Sequence, residues 1–132
     1  MNKNKKRKDM ENIDKIVGDF KLSDMDNLIT DIETFIEKFN NDEVVLLDVR
    51  MPFETKLWSM KFALEIPYNE LPNNLDKLPK DKTIVCICPN GPRSIMAREY
   101  LRFNGFKSSM LKGGSNELIA TLKGGKAKEL NF

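Results

Sequence analysis

The sequence predicts an α/β fold, a parallel sheet flanked by helices. Short apolar, β-branched runs alternate along the chain with stretches of helical periodicity. Two of the runs, Glu43 to Val49 and Lys82 to Ile87, are apolar enough to be buried on both faces, as strands of a parallel sheet are. A length of 132 residues without internal repeats suits one domain with a modest core.

The first nine residues are polar and basic: Lys3, Lys5, Lys6, Arg7 and Lys8 precede any acid. Without these five the basic count falls from 22 to 17 against 20 acidic residues, so the net charge of +2 becomes −3. A disordered tail over 1–9 on a mildly acidic domain is expected. Nothing in the body suggests a nucleic-acid surface. From Met10 to Phe20, Ile13, Ile16, Val17 and Phe20 recur at helical spacing. They give a short amphipathic helix, either packed on the domain or offered to a partner. We place an N-terminal extension at 1–25, the domain at 26–123 and a polar C-terminal tail at 124–132.

Within the domain, Asn27-Leu28-Ile29 reads as a first short strand. Thr30 with Glu33 reads as a capping box opening a helix that turns Ile32, Phe35, Ile36 and Phe39 inward. The second strand, Glu43 to Val49, delivers Asp48-Val49-Arg50 to its carboxyl end, the edge where open α/β sheets hold ligands. Arg50 either contacts an anionic substrate or pairs with Asp48 or Glu54. Pairing is the favoured reading, because such clusters near loops are usually scaffolding. Leu64 to Ile66 is a third strand, and Asn69 to Leu78 a helical stretch broken by Pro72.

The fourth strand ends at the segment around which the chain is organised, Cys88-Pro89-Asn90-Gly91-Pro92-Arg93-Ser94. A helix follows from Ser94 to Asn104, with Met96, Ala97, Tyr100 and Leu101 on its inner face. It ends at Gly105, a suitable left-handed cap, with Phe106 folding back on Leu101. Ser108 to Leu111 is a fifth strand. Gly113-Gly114 opens a last helix, Asn116 to Leu122, before the tail.

A cysteine at the end of a strand and the start of a helix has backbone N–H groups and the positive end of a helix dipole beside it. An arginine five residues on adds a forked cation. Such surroundings favour the thiolate, which is the nucleophile. Gly91 allows the positive φ that a tight loop needs. Pro89 and Pro92 have no N–H, which leaves Asn90, Gly91, Arg93 and Ser94 as loop donors. The loop itself is expected to be exposed. Cys86, two residues earlier on the strand, is expected to be buried and inert.

Composition excludes several classes. There is no histidine, which removes histidine-based metal sites and His-dependent catalysis. Two cysteines neither close a zinc site nor make a disulfide framework. No apolar run approaches a membrane span and no secretory signal pattern is present. The expectation is a cytoplasmic protein without metal or cofactor, and with neither nucleic acid nor membrane as partner.

Cys88-x-x-Gly91-x-Arg93-Ser94 resembles the active-site loop of single-domain rhodanese-like sulfurtransferases. Leu47-Asp48-Val49-Arg50 with Pro52 and Glu54 resembles the family's "LIDVRxPxE" segment. Ile66-Pro67 with Glu70-Leu71, the run Leu78 to Lys82, and Gly105-Phe106 with Leu111-Lys112-Gly113-Gly114 continue the match in order, from about Leu28 to Leu122. The resemblance implies a rhodanese-like three-layer fold with a five-stranded parallel sheet. It also implies transfer of sulfane sulfur from thiosulfate or a persulfide donor to a thiol or cyanide acceptor, through a persulfide on Cys88. Cys88 and Arg93 are then the catalytic candidates. Pro89, Asn90, Gly91, Pro92, Ser94 and Arg50 are the substrate-binding candidates. The partners are a small-molecule sulfur donor and a thiol acceptor, with a protein persulfide as another donor.

The match breaks at Trp58-Ser59-Met60-Lys61-Phe62-Ala63, where the family shows "GHIxGA". Two large aromatics in place of glycines require a reshaped loop, with Trp58 filling the core or lining the pocket mouth. Two other readings remain: a non-catalytic binding module on the same fold, and a cysteine phosphatase. Phosphatases of similar architecture use Cys-x5-Arg, whereas four residues separate Cys88 from Arg93. The smaller ring suits one sulfur atom better than a phosphoryl group.

Overall fold

A computed structural model describes residues 10–132; the expected disordered tail over 1–9 lies outside the described residues. In chain order the elements are α1 (Glu11–Gly18), β1 (Ile29–Thr30), α2 (Ile32–Asn40), β2 (Val44–Asp48), α3 (Pro52–Leu57), β3 (Ala63–Glu65), β4 (Thr83–Ile87), α4 (Pro92–Phe103), β5 (Ser108–Leu111) and α5 (Gly114–Leu122). Short 3-10 turns cover Leu22–Asn27, Tyr68–Asn73, Leu75–Lys77 and Gly124–Glu129.

The strands form one sheet in the order β1-β5-β4-β2-β3, all parallel. β2 and β4 lie side by side, with Leu46 opposite Val85 and Leu47 opposite Cys86. Their side chains alternate between two cores, as the two-residue period of a strand requires. On one face Val44, Leu46, Val85, Ile87 and Leu111 pack with Ile32, Phe35 and Ile36 of α2 and Leu118 and Leu122 of α5. On the other, Leu47, Val49, Ile84 and Cys86 pack with Ala97 and Leu101 of α4 and with Ile66, Leu71, Leu78 and Phe106. Burial on both faces makes these strands continuous apolar runs, and the expected layered α/β architecture with five parallel strands is observed.

After β2 the chain moves toward β3, and after β4 toward β5, on opposite sides. The two connections diverge at the carboxyl ends of β2 and β4, the topological switch point where such sheets usually hold ligands. Cys88 stands there.

Several local expectations need correction. β1 begins at Ile29, because Asn27 ends a 3-10 turn. α2 is capped by Asp31, not Thr30: the Asp31 carboxylate accepts from Thr34 N at 2.7 Å, and that bond holds its carboxyl below the ordinary range. Thr30 sits in the strand, its hydroxyl 2.6 Å from that of Ser109. α4 begins at Pro92, and its inner face is Ser94, Ala97, Arg98 and Leu101. Met96 lies outside, half exposed. Met96 and Ala97 are 100° apart on the helix, and the register set by Ser94 and Arg98 leaves Met96 on the far side. The buried Arg98 donates to the Leu28 carbonyl at 2.9 Å, which satisfies a charge that the apolar pattern had not placed inside.

α4 ends as expected: Gly105 has φ +85°, Phe106 N donates to Leu101 O at 3.0 Å and Gly105 N to Arg102 O at 3.1 Å. α1 contacts α4, where Asn12 Nδ2 donates to the Phe103 carbonyl. Ile13 and Ile16 are half-buried, whereas Val17 and Phe20 stay exposed. The C-terminal stretch is not a free polar tail. Leu130 enters the first core, the Phe132 ring lies 5.3 Å from Phe62, and Asn40 bonds both Glu129 O and Asn131 N. Among the described residues no helix is long and apolar enough to cross a membrane.

Candidate active site

The loop after β4 curls around its own cysteine. Cys88 Sγ accepts N–H bonds from Gly91 at 3.1 Å and Ser94 at 3.4 Å. These are two of the four donors the prolines leave. Gly91 adopts φ +125°, a conformation that L side chains rarely take, and this turns its N–H back onto the sulfur. The Ser94 hydroxyl donates to the Gly91 carbonyl at 2.7 Å, and Ile95 N donates to the same oxygen at 3.0 Å. Ser94 therefore fastens the turn as well as supplying a donor through its backbone. Pro92 occupies the first position of α4, where its missing N–H has no helical partner to lose.

The expectation of an exposed loop holds only for its tip. Asn90 and Pro92 are exposed and Pro89 is half-buried, but Cys88 is 1% exposed. Its side chain belongs to the second core. Asn116 Nδ2 reaches Asn90 Oδ1 at 3.4 Å and ties the tip to α5. Beneath, Ser115 N donates to the Cys88 carbonyl at 2.9 Å. Gly114, at φ +68°, packs so closely that a Cβ there would lie 2.3 Å from Pro89 O and 2.5 Å from Cys88 O. The start of α5 is thus a backing plate for the loop.

Arg93 reaches across to Glu54. The guanidinium grips the carboxylate with two bonds, Nη1 to Oε1 and Nη2 to Oε2 at 2.9 Å. Glu54 Oε1 also accepts from Met51 N at 2.9 Å. The Arg93 hydrogen bonds outweigh partial burial and hold the Glu54 carboxyl down to about 2, while Glu54 raises Arg93 above its ordinary value. The pair clamps the first turn of α4 to the first turn of α3.

Arg50 takes the pairing arrangement. It is 2% exposed, and its Nε and Nη2 meet the buried Asp48 carboxylate at 2.8 to 3.0 Å. Its Nη2 also donates to the Trp58 carbonyl at 3.1 Å, and the guanidinium carbon lies 4.0 Å from the Trp58 ring centroid. The side chain holds the β2 carboxyl end. Trp58, the aromatic that breaks the motif, packs against the first core and covers this ion pair.

Cys86 is completely buried beside the Ser108 hydroxyl at 3.5 Å, and burial pushes its thiol up to about 12. A cleft of about 820 Å³ lies at the opposite, amino edge of the sheet, lined by α1 and the starts of β2, β4 and β5, remote from this chemistry.

Two elements of the site were not anticipated. Glu54 and Arg93 are 39 residues apart, and Glu54 was read as a possible partner of Arg50, not of Arg93. Gly114 was read as a helix opener; its contact with the loop has no local signal.

A cysteine cradled by its own loop at the switch point of a five-stranded parallel sheet defines a class of α/β thiol proteins. The family model described as "Rhodanese-like domain" matches residues 31–121, and the chain belongs to that family. It is 33% identical over 76 residues to a sulfurtransferase of Allochromatium vinosum, covering 57% of this chain and 71% of that protein. It is 35% identical over 74 residues to the putative sulfurtransferase YtwF of Bacillus subtilis, covering 56% and 72%. The crystal structure of the Saccharomyces cerevisiae single-domain sulfurtransferase RDL2 superposes with a TM-score of 0.63 at 27% identity, covering 79% of this chain and 95% of that one.

Proposed function

We propose that this protein is a sulfurtransferase that carries sulfane sulfur on Cys88. The observation that carries the reading is the pair of N–H bonds from Gly91 and Ser94 onto Cys88 Sγ. Donors already aimed at the sulfur are placed to stabilise the negative charge that passes through it during transfer, without reorganisation during the step. The names of the relatives support the same activity.

The reaction is a double displacement. Cys88 thiolate attacks the outer sulfur of a donor; a sulfur–sulfur bond forms to Cys88, and the donor's own bond to that sulfur breaks. The electron pair leaves on the donor's remaining fragment, a thiolate from a persulfide or sulfite from thiosulfate. An acceptor thiolate or cyanide then attacks the outer sulfur and regenerates Cys88 thiolate. Gly91 and Ser94 hold charge at the sulfur. Arg93 and Glu54 act as positioning residues for the turn that supplies the Ser94 donor.

The test is thiocyanate formation from glutathione persulfide or thiosulfate with cyanide, using wild type and Cys88→Ser. The reading predicts turnover in the first and none in the second. Equal turnover in both, or hydrolysis of aryl phosphates at phosphatase rates without sulfur transfer, contradicts it.

A further inference from the structure

We propose that Ser115 is a positioning residue that governs access to Cys88. Its hydroxyl is unpaired while the loop is closed over the sulfur, and it donates to the Cys88 carbonyl when the loop shifts to admit a reactant. The proposal rests on the reading of Cys88 as the reacting sulfur and adds the residue that lets reactants reach it.

The need for a shift follows from burial. Cys88 is 1% exposed, and a reactant must touch its sulfur, so part of the loop has to give way first. The bonds onto Sγ come from Gly91 and Ser94 within the loop and helix start, and Arg93 ties that helix start to Glu54. The seam with fewer ties is the one between the loop and α5. Among the described residues two hydrogen bonds cross it. Ser115 N donates to the Cys88 carbonyl at 2.9 Å, and Asn116 Nδ2 reaches Asn90 Oδ1 at 3.4 Å, which is long for such a bond. Pro89 has no N–H with which to add a third. A shift of the Cys88–Pro89 backbone away from α5 therefore breaks little, and the donors on Sγ stay with the loop.

The unpaired hydroxyl lies at this seam. Ser115 is completely buried, on the α5 face that also carries Leu118 and Leu122. Among the described residues, its Oγ is the buried side-chain oxygen that finds no hydrogen-bond partner. The other buried polar side chains are bonded: Asp48 with Arg50, Arg98 with Leu28 O, Ser94 with Gly91 O, Ser108 with Ile84 O and Ser109 with Thr30. A buried hydroxyl without a partner is costly, and folded proteins keep few of them. Here the same residue already holds the Cys88 carbonyl through its N–H. As that carbonyl leaves the N–H, the hydroxyl turns about χ1 and takes it up. The closed arrangement thus carries an unsatisfied donor and the open one a satisfied donor, which raises the population of the open one.

Ser115→Ala tests this, because it relieves the closed arrangement and takes a bond from the open one. Alkylation of Cys88 by iodoacetamide, read at the Cys88 peptide from pH 6 to pH 9, reports access without any sulfur transfer. The variant should react at least tenfold more slowly than wild type, by the same factor at every pH, and should melt no lower. Loading of Cys88 from glutathione persulfide should slow by that factor too. Equal alkylation rates overturn the proposal. A factor that changes across the pH range also overturns it, since the hydroxyl would then act on the charge of the sulfur and not on access. A lower melting temperature overturns it as well, because it would show the hydroxyl already bonded in the closed protein. If wild type is alkylated but takes up no sulfur, the sulfur-transfer reading fails, and the alkylation rates still decide the role of Ser115.

Discussion

Glu54 and Arg93, from the first turns of two different helices, form a two-pronged ion pair beside the loop that encloses Cys88. This bond joins the element after β2 to the element after β4. It ties the first turn of α4, which carries the Ser94 N–H, to the first turn of α3.

Glu54→Gln should loosen that join. An ion pair of this geometry, partly open to solvent, contributes on the order of 1 kcal/mol. The Glu54 carboxyl has an ordinary value of 4.5 and lies near 2 in the folded protein. A depressed carboxyl contributes stability that is fully present above the unfolded value and disappears as pH falls through the folded one. Thermal melts of wild type and Glu54→Gln should therefore differ at pH 7 and converge between about pH 4.5 and 2. A difference unchanged at pH 2.5 would show that the charge is not what stabilises this join.

Gly114→Ala should displace the loop, because its Cβ would strike the backbone of Cys88 and Pro89. Gly124→Ala is the control: its φ is also positive, +81°, but open space surrounds it. Left-handed strain costs about 1 kcal/mol at either position. Only Gly114→Ala should also lower sulfur-transfer kcat, by tenfold or more. Equal kinetic effects at the two positions would mean that α5 does not back the loop.

Cys86 should resist chemistry that reaches Cys88. Iodoacetamide at pH 8 should label Cys88 in the native protein and Cys86 only after denaturation. The raised thiol also has a sign in stability: its contribution is complete below the ordinary value of 9.0 and is lost as pH rises from there toward 12. Cys86→Ala should therefore remove part of the wild-type protein's alkaline destabilisation. Labelling of native Cys86 at the Cys88 rate contradicts its burial.

A glycine inserted between Asn90 and Gly91 should widen the ring and lengthen the Gly91 and Ser94 contacts to sulfur. Loss of two donors from a developing anionic sulfur should slow transfer at least a hundredfold. Retained wild-type kinetics in the insertion variant would detach catalysis from ring size.

Much of this architecture was legible because it rests on short-range rules. The apolar runs gave all five strands within a residue or two, Gly105 gave the end of α4, and the Cys88 loop announced itself by its place between a strand and a helix. What escaped depends on contacts distant in sequence. Thr30 looked like a cap because its spacing to Glu33 fits a capping box, yet pairing with Met110 and Leu111 keeps residues 29–30 in the sheet and passes the cap to Asp31. Arg98 reads as a surface residue until the Leu28 carbonyl is placed beside it. The polar sequence after Gly124 hid Leu130, a single side chain that anchors the whole segment in the first core. At the site, the loop's own bonds followed from Gly91 and the prolines, whereas the Glu54–Arg93 clamp and the Gly114 plate are products of tertiary folding alone.

The central claim is that Cys88 carries the transferred sulfur. Intact mass spectrometry after exposure to glutathione persulfide, followed by removal of excess donor, measures it directly. Wild type and Cys86→Ser should each gain the mass of one sulfur atom, lose it on addition of cyanide, and release thiocyanate in equal amount. Cys88→Ser, which keeps the loop's shape, should gain nothing. A wild-type protein that never takes up sulfur, or a Cys88→Ser variant that does, contradicts the account.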